Sequence, residues 1–435
     1  MLDLIIKNGQ CYINEKLEDK DIAVKDGKIL KIGEILEEAK EVYDAKKQIV
    51  LPGCIDTQTH FREPGSTDTE DLHSGSRAAV AGGITAVFEM PNTNPPTSNV
   101  KEFQRKLDLA KNRMYCNYAF YFGATADNVN QLAELKDLEG CCGIKLFAGS
   151  STGNLLVAEE RDIDKVFQNS SKVVAVHSED EEILNKNKKL IKNGDVHSHP
   201  VWRSEECAMS STRRIVRIAE RYKKKAHVLH ITTKQEIDFL SQHKGNITFE
   251  ITPQHLTIYA PDCYEKLGTY AQMNPPIRDK SHYDRLWYAV KNNLNDTIGS
   301  DHAPHLKANK DKDYPNSPSG MPGVQTLMPV MLNHVNDGKL SLNQLMKLVC
   351  ENPIKIFGIK NKGFIKEGYD ADFTIVDMNK KIVIKNENIE SKCGWTPFNE
   401  VEFTGTPVAT IISGNIKMRE GKILGDPEGT PLKFS

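Results

Sequence analysis

The chain has 435 residues, of which 39% are hydrophobic and 27% charged, and its 57 Lys and Arg almost cancel 59 Asp and Glu, leaving a net charge of −2. That balance suits a globular protein with a sizeable core and argues against a nucleic-acid or membrane-surface role resting on bulk charge. No stretch approaches the ~20 apolar residues of a membrane span, the opening Met1–Lys7 run is too short for a signal-peptide core, and nine cysteines without a CxxC suggest reduced thiols in the cytoplasm.

In chain order, residues 1–50 come first as short alternating runs (Leu4–Ile6, Asp21–Val24, Lys28–Ile32) broken by Asn8-Gly9 and Asp26-Gly27, both hairpin-turn signals. Eight β-prone runs then follow, most ending in a polar residue: Gly53–Asp56, Ile84–Phe88, Asn117–Tyr121, Gly143–Phe147, Val173–His177, Ala226–His230, Ile247–Ile251 and Thr297–Asp301. Amphipathic stretches such as Asn99–Asn112 and Glu205–Tyr222 separate several of them. Eight alternations of strand and helix predict an α/β fold, a (β/α)8 TIM-like barrel over 51–358, with the chemistry at the carboxyl ends of its strands. Residues 359–435 return to short strands such as Asp372–Asp377 and Ala409–Gly414, so the two chain ends are expected to form one small β-sandwich beside the barrel. The adjacent Cys141 and Cys142 should point to opposite faces of their strand. The polar, charged segment 306–319 is expected to be a mobile loop at the rim of the site.

The polar strand ends bring His60, Lys145, His177, His230 and Asp301 to one end of the inferred barrel. Imidazole and carboxylate suit a borderline cation such as Zn2+. Arg62 follows His60 by two residues, and alternation over 58, 60 and 62 would aim its guanidinium into the site, where it could clamp a carboxylate. Gln254-His255 follows the seventh run without a defined role.

The motifs that carry a resemblance run in order along the chain. They are Leu51-Pro-Gly-Cys-Ile-Asp-Thr-Gln-Thr-His-Phe-Arg-Glu-Pro-Gly65, Met90-Pro-Asn-Thr-Asn-Pro-Pro96, Gly143–Phe147, Val176-His-Ser-Glu179, His227-Val-Leu-His230, Asn274-Pro-Pro-Ile-Arg278, Gly299-Ser-Asp-His-Ala-Pro-His305, Gly320-Met-Pro-Gly323 and Gly363–Asp372. Together they resemble the amidohydrolase superfamily in its dihydroorotase form. The resemblance implies a carboxylated Lys145 bridging two metals, one held with His60 and Asp301 and the other with His177 and His230. One or two Zn2+ per chain are implied, other divalent metals being an alternative, and a homodimer is one option for assembly. It also implies that Arg62 and Asn94 bind the substrate carboxylate with help from His305, and that Asn274 and the backbone around Pro322 and Gly323 contact the pyrimidine ring. The implied reaction is reversible hydrolysis of (S)-dihydroorotate to N-carbamoyl-L-aspartate in pyrimidine biosynthesis, by metal-activated hydroxide with Asp301 as acid and base.

One position departs from the pattern. The family's H-x-H pair is Gln58-Thr59-His60 here. A neutral amide oxygen is a poorer zinc ligand than imidazole, so the first metal position is expected to be weak. Two other readings stay open: a hydantoinase, dihydropyrimidinase or allantoinase, and a non-catalytic dihydroorotase-like subunit, which Gln58 favours.

Overall fold

The eight β-prone runs pair in sequence order into one parallel sheet. In the computed structural model, which describes residues 1–151 and 153–435, the strands are Cys54–Thr59, Ile84–Glu89, Asn117–Gly123, Cys141–Phe147, Val174–His177, Ala226–Val228, Ile247–Ile251 and Thr297–Ile298. The eighth returns to the first through a parallel bridge between Thr59 and His302, and the His60 N–H donates to the His302 carbonyl at 2.7 Å. The predicted barrel is thereby closed.

Side chains alternate across this wall as pleating requires. Val87, Phe120, Ile144, Val174 and Val176 face outward into the layer beneath the helices, whereas Ile55, Phe88, Tyr121 and Ala175 fill the interior with Phe357. Cys141 joins the outer layer and Cys142 the inner one, as expected for neighbours on one strand. The amphipathic segments form helices Val100–Ala110 and Glu205–Arg221, capped by the side chains of Asn99 and Ser204. After the third strand, however, the chain makes only the 3-10 turns Val129–Gln131 and Glu134–Asp137 in place of an α-helix. Asn128 accounts for the start of that segment: its side chain accepts from Thr125 N–H and donates to the Ser98 and Gly123 carbonyls, competing with helical pairing.

Both chain ends build one nine-stranded sheet beside the barrel, joined where Ile49–Pro52 pairs antiparallel with the start of Phe373–Val383. Leu4, Ile22, Val24, Phe373, Ile375 and Ile411 are among its core. Asp26-Gly27 is the hairpin turn its sequence announces, with φ of 50° and 72°. Asn8-Gly9 is instead a bulge inside the strand Leu2–Ile13, and the turn falls at Asn14-Glu15. Glycine is required in that bulge because a Cβ on Gly9 would lie 2.6 Å from Val50. The chain finally leaves the sheet. Tyr118 N–H donates to Thr430 O, Leu432 N–H donates to Tyr118 O, and Leu432 joins the barrel-interior cluster.

A buried ion pair braces the loop after the first strand. Lys106 pairs with Glu89, both inaccessible, and Glu89 also accepts the Phe61 N–H at 3.1 Å. Lys106→Met strands a buried carboxylate and should destabilise the fold by about 3–5 kcal/mol in denaturant titration. Adding Glu89→Leu should recover part of that loss. A single variant as stable as wild type would show that the pair is dispensable.

Candidate active site

Strand ends deliver the polar groups. Gln58 is the last inward residue of the first strand, Lys145 sits in the fourth, His177 ends the fifth, and His230 and Asp301 lie just past the sixth and eighth. With Arg62 and Asn274 they line one narrow inner cavity of about 20 Å3, room for little more than a cation or one water. It adjoins an outer chamber of about 420 Å3 whose lining includes Arg62, Asn92, Asn94 and His305. Pro322 and Gly323, expected against the ring, line neither space; the Gly323 N–H turns to His302 Nδ1 at 3.1 Å, and Ser319 and Gly320 line the inner cavity instead.

Arg62 arrives by a route that alternation did not foresee. The strand stops at Thr59, and Arg62 reaches the cavity from the loop beyond, in a left-handed conformation with φ of 61°. His230 and Asp301 also have positive φ, 39° and 44°. Non-glycine residues adopt such conformations only where their surroundings hold them, and they gather at functional sites.

The donors form two pairs. In the first, His60 Nε2 lies 3.2 Å from Asp301 Oδ1. His60 Nδ1 meets the Asn92 side-chain oxygen at 2.9 Å, which can only accept, so the proton sits on Nδ1 and the Nε2 lone pair faces the carboxylate. In the second, His177 Nδ1 lies 3.1 Å from His230 Nε2. Burial keeps all three imidazoles neutral, pushing His60 down to about 4 and lowering His177 and His230 as well. Burial alone would raise Asp301, but the surrounding polar groups of His60, His230 and Lys145 outweigh it and keep the carboxyl well below its usual range. Deprotonated donors facing one another across about 3 Å fit a cation between them.

Among the described residues no third His, Cys, Asp or Glu completes either pair; the one close-set trio of such groups is Glu205, Asp279 and His282, elsewhere. That trio is already bonded internally: His282 Nδ1 accepts from Lys234 N–H, so its Nε2 proton goes to Glu205 at 2.8 Å. Lys145 is placed to serve both pairs, since its charge acts on His60, His177, His230 and Asp301 alike. Burial lowers its ammonium to about 7, so the neutral amine is accessible near neutrality. Gln58 contributes to the first pair. Its Nε2 donates to Asp301 Oδ1 at 2.9 Å, and its Oε1 is buried without a hydrogen-bond partner.

The outer parts are held firmly. Segment 306–319 lies at the rim as expected, yet it is pinned rather than loose: buried Lys310 donates to the Gln272 and Pro318 carbonyls, and Tyr314 O accepts from Gly194 N–H. Asn274 accepts from His199 at 3.1 Å. Gln254 donates to Ser300 O, and His255 bonds Thr252 and Pro275 O, so both brace the seventh and eighth strand ends. Sequence reasoning missed Asn92 and Glu179, which lie within hydrogen-bond distance of His60 and His177. Their positions two residues from the candidates Asn94, in Met90–Pro96, and His177, in Val176–Glu179, were the signal.

The amidohydrolase family model matches residues 49–417. A protein named dihydroorotase from Methanosarcina acetivorans is 35% identical over 98% of this chain and 94% of its own length, and one from Pyrococcus furiosus is 34% identical over 98% and 95%. Among solved structures, an L-hydantoinase (dihydropyrimidinase) from Arthrobacter aurescens superposes with a TM-score of 0.94 at 29% identity, covering 99% of both chains. A D-hydantoinase gives 0.91 at 28% identity, covering 100% of this chain and 99% of its own.

His177→Ala and His230→Ala should each abolish hydrolysis and lower bound divalent metal, as read by elemental analysis. Either variant keeping full activity at unchanged metal content would refute the second pair as ligands.

Proposed function

We propose that this chain, which belongs to the amidohydrolase family, is a dihydroorotase, hydrolysing dihydroorotate to N-carbamoyl-L-aspartate and closing the ring in the reverse direction. Arg62 carries this reading. It is 7% exposed, donates to the Pro304 carbonyl at 3.2 Å and meets His305 Nε2 at 3.3 Å, and among the described residues no carboxylate lies within ion-pair distance. A buried guanidinium without an anion is costly, and a substrate carboxylate in the outer chamber would supply one. The uncharged rings of hydantoinase-type substrates would leave it uncompensated.

Asn94 and His305 share that chamber with Arg62 and are assigned to the same carboxylate. Burial and the neighbouring Arg62 charge hold His305 neutral, so it hydrogen-bonds without adding a second cation. Asn274 is assigned to the ring, at the inner cavity wall. Ionised Asp301 takes the proton from the attacking water and returns it to the departing ring nitrogen.

We assign Zn2+ to the centre: carboxylated Lys145, His177 and His230 would hold one ion, and His60, Asp301, Lys145 and the Gln58 carbonyl would hold a second. Such a cation lowers the pKa of water from about 15.7 to about 7, roughly 12 kcal/mol of activation. We place the chain in the cytoplasm, in keeping with nine buried, unpaired cysteines.

Arg62→Met should raise KM and cost about 2–5 kcal/mol in kcat/KM for dihydroorotate, while dihydrouracil, which lacks the carboxylate, suffers far less. Equal losses on both substrates would turn the reading toward a hydantoinase.

Gln58 provides a second test, by zinc titration of chelator-treated protein. One zinc per chain should bind tightly and another weakly, and Gln58→His should tighten the weaker one. A wild type inactive at saturating zinc, with turnover restored by Gln58→His alone, would favour the non-catalytic subunit that the missing histidine suggests.

A further inference from the structure

His177 is held from behind by a pair of charges that the proposed chemistry does not use. Its Nε2 meets Glu179 Oε2 at 2.8 Å, and the same oxygen pairs with Arg203. Both residues are almost wholly buried, at 0% and 3% exposure. Glu179 Oε1 has no hydrogen-bond partner, so the carboxylate is turned to serve His177 and Arg203 through one atom. The second arm of Arg203 donates to the Ser150 carbonyl at 2.7 Å. Ser150 N–H in turn donates to Glu181 at 2.7 Å, and the next residue, Ser151, lines the inner cavity. The fit is close: a Cβ on Gly149 would lie 2.5 Å from the Glu179 carbonyl.

We propose that Glu179 and Arg203 are a positioning pair that fixes the tautomer of His177 and ties the loop after the fourth strand to the cation site. An ionised carboxylate can only accept, so the imidazole proton sits on Nε2 and the Nδ1 lone pair is left facing His230. The Arg203 guanidinium on the same oxygen compensates the charge of the buried carboxylate. Arg203 thus acts twice, balancing the carboxylate and anchoring the loop that brings Ser151 to the cavity. The inference rests on the metal assignment made above.

The test is zinc affinity of the chelator-treated full chain, measured by competition with a chromophoric chelator, together with the visible absorption of the Co2+-loaded protein. Glu179→Gln keeps the shape and removes the charge; it should weaken zinc about 10-fold and change the Co2+ spectrum, and Glu179→Ala should approach about 100-fold. The double variant Glu179→Gln with Arg203→Met leaves no uncompensated buried charge, and should fold yet bind zinc as weakly as Glu179→Gln. Arg203→Lys keeps the charge but loses the second arm, so it should raise KM while leaving zinc affinity near wild type. Wild-type zinc affinity and an unchanged Co2+ spectrum in the folded Glu179 variants would overturn the pair while leaving the metal centre intact. A wild type that binds no zinc would overturn the metal assignment and the pair with it.

Discussion

The barrel closes where its eighth strand meets its first, and that eighth strand is two residues long, Thr297–Ile298. Two residues supply too few ladder bonds to hold a seam, so side chains and loop backbone do it. Asp56 Oδ1 accepts both the Gln58 N–H at 3.1 Å and the Ser300 N–H at 2.9 Å, linking the two strands. The buried Asp56 carboxyl is pushed up to about 7 by desolvation, against the opposing effect of those hydrogen bonds. Above the seam, the His60 N–H to His302 O bond continues the pairing past the end of the strand. The distances from Asp301 to His60 and Gln58 depend on how this seam holds the loop after the eighth strand. Closing the fold and assembling the first donor pair are therefore one event.

Such a seam concentrates unfavourable terms at one end of the molecule. Three non-glycine residues at the strand ends, Arg62, His230 and Asp301, hold left-handed backbone, and conformations of that kind cost of order 1–3 kcal/mol each. Around them lie a lysine and an arginine, both buried, with His60 against Asp301 and His177 against His230 at about 3 Å. The opposite end is apolar, with Phe88, Tyr121 and Phe357 packed edge to face and Leu432 beside them. Stability drawn from that floor and from the outer helical layer lets the polar end be built for ligands. A bound cation and a bound carboxylate would each relieve part of the strain, and each would stabilise the native state by mass action.

Much of this was legible in the amino-acid order because two periodicities carry it. Alternation with apolar runs located all eight strands, and the polar residues at their ends fell together once the barrel closed. The misses share a physical cause. The third crossover lacks a helix because Asn128 satisfies local backbone groups, a side-chain choice that periodicity does not register. Arg62 lines the cavity through its loop conformation, not through strand alternation. Asn92 and Glu179 escaped notice because a residue that orients a ligand carries no spacing signature of its own. Asn8-Gly9 read as a turn although the same backbone freedom also serves a bulge, and only the approach of Val50 tells the two apart.

The relatives divide in an informative way. Sequence similarity runs to proteins named dihydroorotase at 35% identity, while backbone superposition reaches 0.94 with an L-hydantoinase. A backbone score weighs hundreds of Cα positions and is blind to a single guanidinium. On the reading proposed above, substrate charge turns on that guanidinium, because a buried cation with no carboxylate within ion-pair distance would favour a charged over a neutral ring by several kcal/mol. The barrel and its imidazole donors set what bond can be cleaved. The loop after the first strand, which carries Arg62, is where the proposed choice of substrate would lie, and loops of this kind vary on a constant scaffold.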